Sequence, residues 1–268
     1  MLMKKVVALM ALLLGIGMMI LTYGRIAETK QTYKEGDAAY ADIGNRVRER
    51  AQATASQQQA GGNGQAEAAD GQTEANGKVY IPDIGVNFDI LKTISGDAVA
   101  WLYCPDTVID YPVMKADDYV YYLSHLPDGA QNANGSLFID FNNASDFSEA
   151  LTVIYGHNMR SKMMFGSLAE YKSQKYYEEH PYMYVYTKEA NYRIELLYGC
   201  VVDAVQWREQ SFMYEENVDA LIAYAALNTT FESNAECSGG DRIVVMSTCS
   251  YEFENARYLV IGKVSAGV

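Results

Sequence analysis

The sequence predicts a mainly β fold preceded by an N-terminal apolar helix. Three observations support this prediction: β-rich runs follow one another from Val79 onward, a stretch without charge lies near the N-terminus, and a segment poor in apolar residues separates the two. Of the 268 residues 49% are hydrophobic, which is enough for a sizeable core. A net charge of −13 argues against nucleic acid as a partner, because binding phosphates needs a basic face.

The uncharged stretch runs from Val6 to Gly24, directly after Lys4 and Lys5. A transmembrane helix needs about 20 apolar residues, whereas a cleaved signal peptide usually has a shorter apolar core followed by small residues at a cleavage site. No A-x-A pattern lies at the right place. We therefore predict that residues 1–24 form an uncleaved signal-anchor rather than a removed signal. The large part of the chain would then lie outside the cell membrane, in a single-pass arrangement.

Two segments connect this span to the β-rich part. Residues 25–50 are charged and contain alanine, and they predict a juxtamembrane helix. Residues 51–78 have no aromatic or branched aliphatic residue. Such a segment cannot bury enough apolar surface to offset the entropy lost on ordering, so we predict a flexible linker, with a poorly packed surface helix as the alternative. We expect residues 79–268 to form one folded domain.

Eight runs in this domain predict strands, because they are short, rich in β-branched and aromatic residues, and separated by turn residues. They are AVAWLYC, VIDYPVM, SLFID, LTVIYG, YMYVYT, YRIELLYGCVV, RIVVMST and RYLVIGKV. Several alternate polar and apolar residues, which favours a closed or nearly closed barrel or a sandwich. We expect helices at NFDILKTI, MFGSLAEYKSQKYYEEH and ENVDALIAYAALNTTFE. The last of these places Val218, Leu221, Ile222 and Ala225 at the spacing of an amphipathic helix.

Cys249 ends the seventh predicted strand. A cysteine taken alone is most often a small buried hydrophobe. Here its neighbours are polar: Ser247, Thr248 and Ser250. Arg257 follows at the start of the next strand, so the two side chains would lie at neighbouring strand ends, where a guanidinium favours the thiolate. The alternative is that Arg257 only pairs with Glu252 or Glu254 on its own loop.

A cysteine nucleophile also needs a proton partner, and His157 is the best candidate. It follows the predicted strand Leu151 to Tyr155 and a glycine that opens a turn. His180 precedes a proline at a helix end, where capping is a sufficient explanation, and His125 lies in a turn. The cysteines show no CxxC pair and the histidines lie far apart, so we predict no metal site.

Together these residues resemble the sortase family, and class B sortases most. The resemblance is carried by TVIYGHNM with MFGSLAEY after it and by STCSYEFENARYLVIGK, and it fits throughout residues 84–264, including TVIDYPVM, YYLSH, GSLFIDFNN and HPYMYVYT. The helix before the cysteine strand is also a class B trait. Two features depart from the family. The strand ends Val-Met-Ser-Thr-Cys instead of the usual Thr-Leu-x-Thr-Cys, and Ser250 stands where some relatives carry an acid.

The resemblance implies a seven- or eight-stranded β-barrel with a few peripheral helices, and a cysteine transpeptidase. Cys249 would attack the carbonyl after a Thr in the C-terminal sorting motif of a secreted protein and form a thioester. An amine, usually of a peptidoglycan precursor of the lipid II type, would resolve it. His157 would act as general acid and base, Arg257 would stabilise the oxyanion or hold the substrate, and Ser247 and Thr248 would contact the substrate. The resemblance implies no metal or organic cofactor.

Two alternatives stay open at this point. One is a sortase that polymerises pilins, with a lysine of another protein as the amine, and the sequence does not contain this acceptor. The other is a catalytically silent, membrane-anchored binding module. The presence of Cys249, His157 and Arg257 together argues against this second alternative.

Overall fold

The computed structural model describes residues 2–58, 79–209 and 212–267. Helix α1 (Leu2–Gln58) covers the predicted anchor and the predicted juxtamembrane helix. It also includes residues 51–58, so this part of the predicted linker is helical. The remainder of the predicted linker, residues 59–78, lies outside the described residues. In the described part of the chain, no helix combines the length and the apolar character that crossing a membrane requires.

Eight strands form a closed barrel, and this confirms the predicted fold class. The strands are β1 (Ala98–Tyr103), β2 (Asp110–Met114), β3 (Leu137–Ile139), β4 (Leu151–Tyr155), β5 (Tyr182–Tyr186), β6 (Asn191–Asp203), β7 (Arg242–Cys249) and β8 (Ala256–Ala266). Their order around the barrel is β1-β2-β3-β4-β7-β8-β6-β5, and β5 pairs with β1 to close it. The pairs β2–β3 and β4–β7 are parallel and the others are antiparallel.

Short helices cover the outside of the barrel. They are α2 (Phe88–Ile94), α3 (Gln174–Glu179), α4 (Ala204–Glu209) and α5 (Val218–Asn228), with 3₁₀ helices at Tyr121–Leu123, Phe165–Lys172 and Glu215–Asn217. The predicted helices at α2 and α5 are confirmed, and Leu221 and Ala225 are buried as the amphipathic pattern predicts. The helix predicted across MFGSLAEYKSQKYYEEH divides into a 3₁₀ helix and α3 at Ser173.

The barrel interior forms one buried core, and two further apolar clusters lie on its outer surface. One lies between β4, β6, β7, β8 and helices α4 and α5. The other includes residues of α1 and α2 packed against β1, β2 and β5. Helix α1 contributes Ile43 and Val47 to this cluster and Tyr40 to the barrel core, and these residues are 4%, 0% and 6% exposed. This helix therefore shares its packing with the domain predicted at 79–268.

Candidate active site

The strand register brings Cys249, Arg257 and His157 to one end of the barrel. Cys249, the last residue of β7, pairs directly with Arg257 on β8. On its other side β7 runs parallel to β4, with Tyr155 opposite Ser247. His157 therefore lies two residues after Tyr155, just as Cys249 lies two residues after Ser247. Parallel neighbours end at the same edge of a sheet, so the two side chains emerge side by side.

A cavity of about 430 Å³ opens at this end of the barrel. All five residues predicted for the site line it: His157, Ser247, Thr248, Cys249 and Arg257. The remaining walls are largely apolar, and they consist of Tyr119, Leu123, Phe138, Tyr155, Gly156, Ala204, Trp207, Arg208 and Met213. The cavity can hold an apolar peptide side chain next to a thiol, an imidazole and a guanidinium. The sequence did not predict the contribution of α4, which supplies Trp207 and Arg208.

The turn that carries His157 is fixed to the cysteine strand by hydrogen bonds. Thr248 Oγ1 donates to the Gly156 carbonyl at 2.7 Å, and the Gly156 N–H donates to the Ser247 carbonyl at 3.2 Å. Asn158 Nδ2 donates to the Cys249 carbonyl at 2.7 Å. Sequence reasoning did not single out Asn158, although it directly follows His157. These bonds hold the imidazole turn and the thiol in one rigid frame.

Gly156 is the pivot of this turn. A Cβ at position 156 would lie 2.4 Å from Leu137 Cδ2 and 2.7 Å from Phe165 Cδ2, closer than any side chain allows. The glycine therefore lets the chain pass close to Leu137 and Phe165 directly after β4, and the next residue, His157, lines the cavity.

The His157 ring is oriented by the backbone of a neighbouring turn. Its Nε2 lies 2.7 Å from the Leu123 carbonyl oxygen. A carbonyl only accepts, so Nε2 carries a proton and donates, and Nδ1 is left to exchange a proton. The other two histidines have structural surroundings. His125 stacks on Tyr121, and the backbone N–H of His180 caps α3.

Arg257 keeps its guanidinium at the cavity. Its Nη1 donates to the carbonyl of its neighbour Ala256 at 3.1 Å, and none of the ion pairs between described residues includes Arg257. Glu252, one of the two partners considered in the alternative interpretation, forms an ion pair with Lys172 and accepts the Ser250 hydroxyl instead. The charge of Arg257 is thus free to meet a substrate oxygen.

The four cysteines are free thiols with different surroundings. Burial raises the pKa of Cys104 to about 11 and that of Cys200 to about 12, and both side chains are fully buried. Burial, and then the nearby Asp241 carboxylate, raise the pKa of Cys237. Cys249 alone among them lines the cavity with a histidine and an arginine. The structure thus separates Cys249 from the other three thiols, which do not line this cavity.

A buried carboxylate supports the cavity wall from behind. Asp140, 1% exposed, accepts the Tyr155 hydroxyl at 3.0 Å and the Tyr119 hydroxyl at 2.9 Å. Burial, and then Asp140, raise the pKa of both phenols well above the ordinary value, so they stay protonated donors. The sequence did not reveal this network, because the carboxylate and its two tyrosines come from separate segments.

Comparisons with known proteins bear on the family of the chain. No protein-family model matches the chain. Sortase B of Listeria monocytogenes is 32% identical over 178 residues, which cover 65% of this chain and 72% of that protein. Among solved structures, Clostridium perfringens sortase B is 26% identical with a TM-score of 0.61, covering 66% of this chain and 99% of its own.

A further solved structure bears on the acceptor. It is a Streptococcus pyogenes class B sortase involved in pilus biogenesis, 26% identical with a TM-score of 0.61, covering 68% of this chain and 99% of its own.

The barrel, the cysteine strand end and the identity to Listeria monocytogenes sortase B lead to one assignment. This chain belongs to the class B sortases, a family of cysteine transpeptidases that attach proteins to the cell wall.

Proposed function

We propose that Cys249 is the nucleophile of this transpeptidase, His157 its general acid and base, and Arg257 its oxyanion-stabilising group. The observation that carries this proposal is the strand register, which pairs Cys249 with Arg257 and aligns His157 with the same edge. Family membership favours this enzyme over the silent binding module.

In the first half-reaction, the Cys249 sulfur attacks the carbonyl carbon that follows a Thr in the sorting motif. The reactive enzyme holds Cys249 as the thiolate and His157 as the imidazolium, so when the C–N bond of the substrate breaks, His157 Nδ1 gives its proton to the leaving amine. Arg257 donates hydrogen bonds to the oxygen that becomes negative in the tetrahedral intermediate. One such donor is worth roughly 3 kcal/mol of barrier reduction. The products are a free amine and a thioester on Cys249.

In the second half-reaction, an incoming amine replaces the sulfur. His157 Nδ1 takes a proton from this amine as its nitrogen attacks the thioester carbon, and the C–S bond breaks to regenerate the cysteine. A new amide bond forms in place of the one broken in the first step, so the number of amide bonds does not change overall. No oxidant, reductant or metal is needed for either half-reaction.

The substrates follow from this chemistry and from the family. The acyl donor is a secreted protein with a C-terminal sorting signal, and the apolar cavity wall accepts the side chains around its Thr. Ser247 and Thr248 are 3% and 2% exposed, so they shape the floor of the subsite more than they contact the peptide. The acyl acceptor is the amine of a peptidoglycan precursor of the lipid II type.

A second acceptor is favoured by one observation. The Streptococcus pyogenes relative is a class B sortase involved in pilus biogenesis. On this alternative the incoming amine is the side chain of a lysine on another protein, and the enzyme polymerises pilin subunits. The donor half-reaction is the same in both cases, so only the amine distinguishes them.

We also propose that the N-terminal part of α1 holds the enzyme at the outer face of the cell membrane. This rests on the sequence from Val6 to Gly24, which has 19 residues without a charge. Both substrates are delivered at that face. Membrane fractionation, followed by sequencing of the mature N-terminus, tests this proposal. A mature protein that begins after Gly24 would contradict it.

The central experiment uses the purified full chain and a peptide library with varied x-P-x-T-x motifs. We expect cleavage after Thr, and a mass increase on Cys249 equal to the acyl fragment when no amine is present. A lipid II stem-peptide amine and a pilin lysine peptide, offered together, identify the preferred acceptor. Cleavage that persists in Cys249→Ala would overturn the proposal.

A further inference from the structure

Helix α1 is bound to a turn that lies directly behind His157. The hydroxyl of Tyr40 on α1 donates to the Gly135 carbonyl at 2.6 Å and lies 2.9 Å from Ser136 Oγ. Its ring packs edge-on against Tyr111, with centroids 5.2 Å apart. Burial raises the pKa of the Tyr40 phenol far above its ordinary value, so the hydroxyl stays a donor.

Two asparagines of the same turn bind α1 as well. Asn132 Nδ2 donates to the Thr32 carbonyl at 2.9 Å, and Asn134 Nδ2 donates to Asp37 Oδ1 at 2.9 Å. Gly36 permits this approach, because a Cβ there would lie 2.5 Å from Asn134 Nδ2. The helix thus holds residues 132–136 at three separate points.

The other side of this turn contacts the catalytic imidazole. Gly135 has a φ of +58°, and a Cβ at this position would lie 3.0 Å from His157 Cδ2 and 2.9 Å from the Leu123 carbonyl oxygen. That carbonyl accepts the Nε2–H of His157. The Ser136 N–H donates to the Tyr122 carbonyl at 2.8 Å and so joins the two turns. A displacement of Gly135 therefore moves both the surface against which the His157 ring lies and the Leu123 carbonyl that accepts its hydrogen bond.

We propose that Tyr40 is a positioning residue that sets the His157 imidazole for proton transfer by holding the Gly135 turn. The proposal rests on the acid and base role of His157 proposed above. A general acid works within hydrogen-bond reach of its target, and a misplacement of about 1 Å can cost on the order of 100-fold in rate. Helix α1 is on this account part of the catalytic apparatus and not only a tether.

The test is Tyr40→Phe in the full chain, with two acyl donors that carry the same sorting sequence. One has the natural amide, whose leaving amine needs a proton. The other has a thioester at the same bond, whose leaving thiolate needs none. We expect single-turnover release from the amide to slow by about 5-fold, the value of one ordinary hydrogen bond, with KM within twofold of wild type. Release from the thioester should not change.

Tyr186→Phe is the matched control. Its hydroxyl donates to the Pro82 carbonyl at 2.7 Å, and the residue is 3% exposed, but that bond joins β5 to the segment before α2 and not to residues 132–136. This variant should slow neither donor. Gly135→Ala is a second probe, since its methyl group would lie 2.6 Å from the Tyr122 carbonyl oxygen and 3.0 Å from His157 Cδ2 and so displace the turn against the imidazole. We expect a larger loss that is again confined to the amide.

His157→Ala separates a failure of this inference from a failure of the proposed function. If His157→Ala slows amide and thioester donors equally, the acid role itself is wrong. If His157→Ala is selective for the amide but Tyr40→Phe slows both donors, or neither, then Tyr40 does not act through the histidine. A thermal melt of each variant confirms that the folded protein is being compared.

Discussion

An arginine lies at each end of the β7–β8 ladder, Arg242 on β7 and Arg257 on β8, and the two have different roles. At its start, Arg242 Nη1 donates to the Phe147 carbonyl at 3.0 Å, and its guanidinium lies over the Tyr192 ring at 5.1 Å. At its end, Cys249 pairs with Arg257, whose guanidinium faces an open cavity. The first arginine is occupied by the fold, and the second is left for a substrate.

The contrast between the two arginines shows how one barrel can be both rigid and reactive. A guanidinium that is already bound by backbone and aromatic partners stabilises the protein, but it has little capacity left for a ligand. A guanidinium at a strand end that faces a cavity stabilises the protein less, but its N–H donors stay available for a ligand. The rest of the β7–β8 ladder holds it in place, so the site needs few supporting bonds of its own.

The largest expected effect separates two cysteines. Cys249→Ala should abolish both cleavage and transfer, because no other group can form the thioester. Cys237→Ala is the control, since Cys237 lies outside the cavity, and it should keep near wild-type rates. Peptide cleavage followed by mass spectrometry measures both. Residual transfer by Cys249→Ala above the uncatalysed background would contradict the assigned nucleophile.

Alkylation extends this comparison to all four thiols without mutation. At pH 8 only about a thousandth of a thiol with a pKa near 11 is ionised, and Cys104 and Cys200 are also fully buried. We expect iodoacetamide to modify Cys249 at least about 100 times faster than either of them. Timed quenching and peptide mapping give the four rates. Equal rates for Cys249 and Cys104 in the folded protein would argue against an accessible reactive thiol.

The two arginines at the ends of β7–β8 give the next effect. Arg257→Lys should lower kcat by roughly 100-fold with little change in KM, because a point charge on a flexible stem does not reproduce the planar fork of donors that meets the oxyanion. Arg242→Lys should instead lower the free energy of unfolding by about 1 kcal/mol and leave kcat unchanged. Steady-state kinetics and denaturant unfolding measure the two quantities.

An Arg257→Lys variant that is almost silent would show that Arg257 has only a structural role. A drop in kcat for Arg242→Lys as large as that for Arg257→Lys would remove the distinction between the two strand ends.

Much of the barrel could be predicted from sequence, because its strands are local patterns bounded by turn residues. All eight were found, with boundaries that differ by one to a few residues, as at β2, which begins at Asp110 and not at Val108. The meeting of Cys249, His157 and Arg257 at one place could also be predicted, because each lies at a strand end within a recognisable run. The structure brings them to one cavity.

The supporting residues could not be predicted, and the reason is physical. Helix α4 has only six residues, and its position depends on packing against β6 and not on a periodic pattern. In the sequence, Asp140 looks like the polar end of a strand. Its burial depends on hydrogen bonds from two tyrosines that come from other segments of the chain. Likewise, nothing local to Tyr40 indicates that its hydroxyl meets a turn 95 residues away. Contacts between remote segments are fixed by the fold as a whole.

The smallest change in activity is expected from a comparison of two phenols, one near each end of the β7–β8 ladder. The Tyr155 hydroxyl donates to the Asp140 carboxylate at the cavity wall, and the Tyr192 hydroxyl donates to the Asp146 carbonyl at 3.1 Å beside Arg242. Tyr155→Phe removes a bond to a charged acceptor and should lower the free energy of unfolding by about 2 kcal/mol, whereas Tyr192→Phe should cost about 1 kcal/mol.

Their effects on catalysis should differ more than their effects on stability. Tyr155 lines the cavity and directly precedes the Gly156 pivot, so its loss should reduce kcat/KM about threefold by loosening the wall. Tyr192→Phe should leave kcat/KM within error, because that end of the ladder does not reach the cavity. If both variants reduce kcat/KM equally, then a change at one end of the barrel affects the other end. The conclusion that the two strand ends act independently would then be wrong.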